Sequence, residues 1–351
     1  YSSAASDVYK RQIVQSITRK LRSDMERLSA IIERFENLSR NYSSDDVVEK
    51  FRRTGKENTL FVFMEGVIER LRQLNHSGTA KNYSAALGSF KRFRNNEDIQ
   101  MEAIDHILME DYQAYLASLG VVPNSISFYM RILRAVYNRA VEQELTIDRN
   151  PFRTVFTGVE KTRKRAISIS DIKRIRDLDL SLKPNLEFAR NLFLFLFLCR
   201  GMSFIDAAFL KKSDIQSGIL TYRRHKTNQV LHIKIIKPIK ELVDRYSSND
   251  SPYLLPIITR PHCDERRQYE TALRRVNKSL KTIAGMVKLP IPLTTYVSRH
   301  AWATIAKSKN IPVNVISDAL GHDSIATTQI YLASIDTSTI DRANELIIKD
   351  L

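Results

Sequence analysis

Apolar residues between 56 and 154 recur at helical spacing. Phe61, Phe63, Met64, Val67, Ile68 and Leu71 form one such set, the i, i+3, i+4 pattern of a helix with one buried face. His76-Ser-Gly78 interrupts it. Further helices are predicted from Thr79 to about Phe93, over roughly Leu108–Leu119 with a stop at Gly120, and from Ser125 to about Glu144. Asn150-Pro151 closes this module. Residues 1–11 show no clear period. Residues 12–55 read as charged helix with a short apolar face at Ile31, Ile32 and Phe35. On that pattern, residues 1–55 are expected to be a helical arm or the remnant of an arm-binding domain.

The stretch 155–166, VFTGVEKTRKRA, is basic and reads as a linker. Ser168 or Ser170 is positioned to cap a new helix. From there to 351 a second domain is predicted. A buried helix spans about Leu186–Cys199. Strand-like runs at Ile219–Lys226 and Val230–Ile236 flank Thr227-Asn228-Gln229, a hairpin. Helices are expected at about Gln268–Val287, Ser298–Lys307 and Val313–Leu320, the last framed by Pro312 at its first position and Gly321 past its end. A short helix should then carry Tyr331. The fold class is mainly α with a small β-hairpin element. Ile340, Ala343, Ile347 and Leu351 make one apolar face of a C-terminal helix.

Composition narrows the function classes. The 351 residues carry 55 Lys and Arg against 39 Asp and Glu, a formal net charge of +16. That excess favours a polyanionic partner, and nucleic acid fits it best. The first domain offers Lys81, Arg92, Arg94, Arg131 and Arg134 as phosphate contacts, with Arg139 beside them, and the linker adds Arg163. Any single one of them is equally well read as a solvated surface charge. The basic residues are spread over both domains, unlike a membrane-surface helix. The longest apolar run, Leu192–Leu198, is far shorter than the ~20 residues of a membrane span. Cys199 and Cys263 form neither a disulfide framework nor a zinc spacing, so a reducing cytoplasm is expected.

Candidate chemistry lies in the second domain. Arg299, in LTTYVSRHAWATIAK, is expected near the start of a helix, where its planar fork of donors and the helix N-terminus would favour a phosphate. His322 follows Gly321 and is placed to donate to an anion. Lys226 sits at the tip of the hairpin, where it can reach a leaving oxygen. Tyr331, nine residues after His322, has a hydroxyl able to attack phosphorus. Taken singly, each is more often structural.

Together, the segments R299-H-A-W-A-T, L320-G-H-D-S and T327-T-x-x-Y331, with the hairpin Lys226, resemble the tyrosine recombinase, or phage integrase, family. The likeness covers about residues 57–345, and RGMSFIDAAFLKKSDI (200–215) is similar to the family's first catalytic box. The resemblance implies a helical, SAM-like core DNA-binding domain at 56–154 and a catalytic domain at 167–351, closing as a clamp on duplex DNA. Tyr331 would form a 3′-phosphotyrosyl link, Lys226 would protonate the 5′ oxygen, and Arg299 and His322 would hold the phosphate. Neither metal nor other cofactor is implied. A homotetramer on DNA, with the C-terminal tail docked in trans, accessory DNA-bending or directionality proteins and a nucleoid-associated location are the further implications.

Two positions depart from the family pattern. Ser203 stands where the first arginine is usual, and Tyr296 where histidine often precedes the second. Arg200, near one helical turn away, and Arg223 and Arg224 on the hairpin are the candidates for the missing cation. Arg224 is the expected replacement, because on a strand it shares a face with Lys226, two residues on. Tyr296 retains a donor but no charge at neutral pH. The R-G-M-S-F run resembles the branch found on mobile and conjugative elements. Two alternatives stay open: a DNA-binding protein that has lost its chemistry, and a type IB topoisomerase-like relaxing enzyme.

Overall fold

The computed structural model describes residues 41–57, 59–160, 166–246 and 251–325, with Thr328, Gln329 and scattered positions between 14 and 37. Arg163, Tyr331 and the tail face at Ile340, Ala343, Ile347 and Leu351 lie outside the described residues. The chain forms two compact units, Tyr1–Thr162 and Arg163–Leu351.

In the first unit the described positions between 14 and 37 are helical. Helices α1 (Ser44–Glu57), α2 (Leu60–Gln73), α3 (Ser77–Phe93), α4 (His106–Ser118) and α5 (Pro123–Glu142) follow. The expected apolar face of α2 is the buried one, through Phe61, Met64, Val67, Ile68 and Leu71. It packs on α3 and α5. The core is aromatic: Phe90 meets Tyr112 edge to face at 4.9 Å, and the Tyr112 hydroxyl bonds the buried Ser89 at 2.8 Å. A buried phenol needs such a partner, since an unmatched polar group costs about 1–3 kcal/mol. Helix starts are fixed locally. Asp105 caps α4 by accepting from Leu108 N–H, and Asp98 accepts from Phe61 N–H at the start of α2. Residues 155–160 fold back on α5: Asn124 and Glu160 exchange hydrogen bonds of 2.8 and 2.9 Å, and Val155 joins the core.

The second unit opens with α6 (Ile169–Arg176), where Ser168 is the cap, in a reciprocal capping box with Asp171. Helix α7 (Pro184–Leu198) is the central rod. Its Leu192–Leu196 stretch is buried throughout, as an all-round apolar helix must be. Then come α8 (Phe204–Ala208), β1 (Ile215–Gln216), β2 (Ile219–Arg223), β3 (Val230–Lys234), α9 (Lys237–Tyr246), α10 (Glu265–Met286), α11 (Thr295–Ser308) and α12 (Val313–Leu320). The strands make an antiparallel sheet in the order β1-β2-β3, with Leu220 opposite Ile233 and Tyr222 opposite Leu231. Leu220 and Tyr222 point inward, in the period-2 alternation. Helices α6, α9, α10 and α11 pack around α7.

Three expectations are corrected. The strand predicted to run through Lys226 ends at Arg223, so Arg224 and Lys226 lie in the loop and do not share a strand face. Arg224 turns inward and is buried, whereas Lys226 is exposed. Helix α11 begins at Thr295, not Ser298. Arg299 therefore sits in the second turn, away from the free N–H groups of the helix start. Pro312 occupies the cap position of α12 and not its first turn.

Candidate active site

The site is assembled where α11, the β2–β3 loop and the end of α12 meet. Arg299 is 3% exposed. Its Nη1 donates to the carbonyl of Gly201 at 2.8 Å, and its Nη2 to the carbonyl of Leu320 at 2.6 Å. Nη2 also lies 3.0 Å from His322 Nε2. Gly201 has to be glycine. Its φ is +68°, and a Cβ there would lie 2.8 Å from Arg299 Cα.

Arg224 enters from the hairpin loop. It is 7% exposed and its Nη1 donates to the carbonyl of Gly321. Its buried Nε–H has no partner among the described residues. Thr227 Oγ1 donates to the same carbonyl at 3.1 Å, and Gln229 Nε2 to the carbonyl of His322 at 3.4 Å. Three successive carbonyls, 320 to 322, are thus held from α11 and from the loop. Gly321 permits this closeness: its φ is +62°, and an added Cβ would press on Arg224, Gln229 and Leu231 at 3.1–3.2 Å.

These cations shape His322. Burial first, then the charges of Arg299, Arg224 and Lys226, push its pKa down to about 4. The ring is neutral at pH 7 and becomes easier to protonate only if an anion offsets the surrounding charge. Its Nδ1 lies 2.7 Å from Oγ1 of Thr328, which is fully buried.

Ser203 has a local role. It caps α8, accepting from Asp206 N–H and donating to Asp206 Oδ2 at 2.6 Å. Asp206 Oδ1 accepts the backbone N–H of His225 at 2.8 Å. The buried carboxylate thereby ties α8 to the loop, one residue before Lys226. Tyr222 lies close by, its phenol pKa raised chiefly by burial. Tyr296 is on α11 but 54% exposed, its ring edge to face with His300 at 4.8 Å. Arg200 has a left-handed backbone, φ +59°. The described contacts do not join its side chain to Arg299 or His322.

The structure therefore brings together Arg299, His322 and Arg224, with Lys226 near enough to act on His322 by charge. In the first unit, Lys81 and Arg92 share one face of α3 and are both exposed. Arg94, just past α3, is half-buried, with its Nε–H unpartnered among the described residues. Arg131 and Arg134 are exposed on α5, and Arg134 donates to Thr157 at 3.2 Å. The sequence pattern assigned no chemical role to Asp206, Thr227, Gln229 or Thr328, although Asp206 lies in the 200–215 box, Thr227 and Gln229 in the hairpin turn and Thr328 in the T-T-x-x-Y run.

Two family models match the chain: the phage integrase SAM-like domain over residues 59–160 and the phage integrase family over residues 170–337. The chain belongs to the phage integrase family of tyrosine recombinases. The tyrosine recombinase XerA of Pyrococcus furiosus is 27% identical over 244 residues, 67% of this chain and 79% of the relative. Two lambda integrase structures are similar in fold. A dimer bound to a COC′ core site gives a TM-score of 0.60 at 18% identity, and a tetramer bound to a Holliday junction 0.59 at 17%. Each comparison covers 86% of this chain and 85% of the lambda chain. The Tn1549 transposon integrase in complex with a circular intermediate DNA gives 0.57 at 14% identity, covering 81% of this chain and 98% of that one.

Proposed function

We propose that this tyrosine recombinase cuts and rejoins duplex DNA at a specific site, to integrate, excise or invert a DNA element. The buried Arg299–His322–Arg224 cluster carries the reading. A phosphodiester attacked in line needs donors on its equatorial oxygens, and two guanidinium groups and an imidazole gather around the 320–322 turn. Family membership argues against a scaffold kept only for binding. The similarity to tyrosine recombinases argues against simple relaxation.

In the proposed mechanism, Arg299 and Arg224 neutralise the scissile phosphate and His322 donates to one of its oxygens. Arg224 supplies the cation that Ser203 cannot. Its depth in the fold and its unpartnered Nε–H support this choice over Arg200 and over the exposed Arg223. Tyr331 attacks phosphorus as the P–O5′ bond breaks, leaving a 3′-phosphotyrosyl ester. Lys226 gives its proton to the departing 5′ oxygen, and Tyr296 offers a further donor at the exposed rim. The ester conserves the bond energy, so attack by a 5′ hydroxyl reseals the strand and releases Tyr331.

The remaining roles are proposals of the same kind. Residues 56–154 act as the core DNA-binding domain and 167–351 as the catalytic domain, joined through 155–166. Lys81, Arg92, Arg94, Arg131, Arg134 and Arg163 contact phosphates. The working form is a DNA-bound tetramer, a reading supported by the similarity to a lambda integrase tetramer, and accessory DNA-bending or directionality proteins choose the reaction's direction. The Tn1549 likeness agrees with a place on a mobile element, acting at the nucleoid. No helix among the described residues is long and apolar enough to cross a membrane.

The test compares the parent with Arg224→Ala and Arg299→Ala. Each is mixed with a library of nicked duplexes whose short 5′ fragment diffuses away after cleavage, and covalent adducts are counted on denaturing gels. Both variants should cleave roughly 10²- to 10³-fold more slowly, the loss seen when one preorganised donor is removed. Parental rates from Arg224→Ala would remove it from the mechanism.

A further inference from the structure

His322 is held at both ring nitrogens, and the two contacts fix where its proton sits. Nε2 faces Arg299 Nη2 at 3.0 Å, and Nδ1 faces Thr328 Oγ1 at 2.7 Å. A guanidinium donates and never accepts. Nε2 must therefore present its lone pair, so the neutral ring carries its proton on Nδ1 and donates to the Thr328 hydroxyl. This is the wrong tautomer for the proposed reaction. The edge that meets a phosphate beside Arg299 is the Nε2 edge, and there a proton is needed.

The partner on Nδ1 decides whether the ring can change. A backbone carbonyl only accepts, and would hold the proton on Nδ1. A carboxylate would favour the imidazolium. A hydroxyl can accept from Nδ1–H in one state and donate to a bare Nδ1 in the other. Thr328 is fully buried and its hydroxyl is held in place, whereas the His322 ring is only partly buried and can exchange protons with water. Among the described residues, the charged groups that act on the ring are Arg299 from α11 and Arg224 and Lys226 from the β2–β3 loop, all cations, and none of these takes the Nδ1 proton. Threonine 328 also stands three residues before Tyr331 in the chain.

We propose that Thr328 is a positioning residue whose hydroxyl reverses its hydrogen bond so that His322 can turn from an acceptor for Arg299 into a donor for the scissile phosphate. As the phosphate enters, Arg299 Nη2 turns to it. Nε2 takes a proton from water and Nδ1 returns one to water, so the ring stays neutral. Thr328 O–H then donates to Nδ1. The inference rests on the recombinase reading for the second state, but the first state is a property of the protein alone.

Two measurements separate these. The full chain is labelled with ¹⁵N-histidine and the ring nitrogens of His322 are observed by NMR, assigned through His322→Gln. The parent and Thr328→Ser should show the Nδ1–H tautomer, and Thr328→Val should lose that single pattern. A parent ring protonated on Nε2, or an unchanged spectrum in Thr328→Val, would overturn the inference whatever the protein does to DNA. Single-turnover adduct formation on the nicked duplexes is then compared at matched DNA binding. Thr328→Val should be slower by roughly 10- to 100-fold, the range found when a partner orienting a metal-bound histidine is removed. Thr328→Ser should return to within about threefold of the parent, because it restores the hydroxyl without the methyl group. Equal slowing in Thr328→Ser and Thr328→Val would assign the residue to packing and overturn the proposal. A parent that binds DNA yet forms no adduct would defeat the recombinase reading, and the NMR result would still decide the hydrogen bond.

Discussion

His322 illustrates what one residue gains from its surroundings. Its pKa is pushed down to about 4 by burial and by three cations, while in the unfolded chain it titrates near 6.5. Between about pH 6.5 and 4 the unfolded state takes up a proton that the folded state refuses, so stability falls as the pH drops through that window. Below about 4 both states are protonated and the loss stops growing. The Tm of the parent should fall more steeply from pH 6.5 to 4 than that of His322→Gln, as followed by circular dichroism. Parallel curves would mean that the ring is not held neutral in the fold. The histidine was legible in the sequence because glycine and tyrosine stand at fixed distances from it. Thr328 was visible only as a letter in the same run. Nothing in the one-dimensional pattern says which side chain meets the second ring nitrogen, since that depends on how the segment returns to α12.

At the scale of elements, helices were the easier part to read. The apolar face of α2 and the buried rod α7 follow from the apolar pattern, and observed helix ends differ from the expected ones by no more than three residues. The β2–β3 loop was not legible. Alternation extended the strand through Lys226, but the last strand pair is Arg223–Val230, and the Arg224 side chain turns inward to the Gly321 carbonyl, a contact between residues far apart in sequence. The same tertiary demand shows at the glycines. Gly201 and Gly218 both have positive φ, +68° and +76°, yet a Cβ at 201 would strike the backbone of Arg299, whereas one at 218 meets nothing within 4 Å. Gly218→Ala should cost only the left-handed strain, about 1–2 kcal/mol. Gly201→Ala should cost clearly more and also slow DNA cleavage, because Arg299 has to move. Denaturant midpoints and adduct rates for the pair check this. Equal losses of stability would show that α11 and the 201 turn are not in the close contact described.

For the whole molecule, charge and motif answer different questions. The net charge of +16 indicates a polyanion but no chemistry, and phosphate contacts would supply most of the affinity and its salt dependence. The chemistry was legible as four separated signals, Lys226, Arg299, His322 and Tyr331. What sequence left open was the source of the missing cation, because Arg200 is near Ser203 in the chain while Arg223 and Arg224 share the hairpin with Lys226. Burial separates them: Arg224 is inside and beside the 321–322 turn, while Arg223 is exposed. Ser203 is in turn occupied in capping α8 through Asp206. The covalent trap addresses the proposed chemistry most directly. The parent and Tyr331→Phe are incubated with the nicked-duplex library, and the protein–DNA adducts are resolved on denaturing gels and their DNA sequenced. The proposed mechanism requires an adduct with the parent, at one recurring sequence, and none with Tyr331→Phe. An adduct that survives Tyr331→Phe, or no adduct from a parent that binds the DNA, would contradict it.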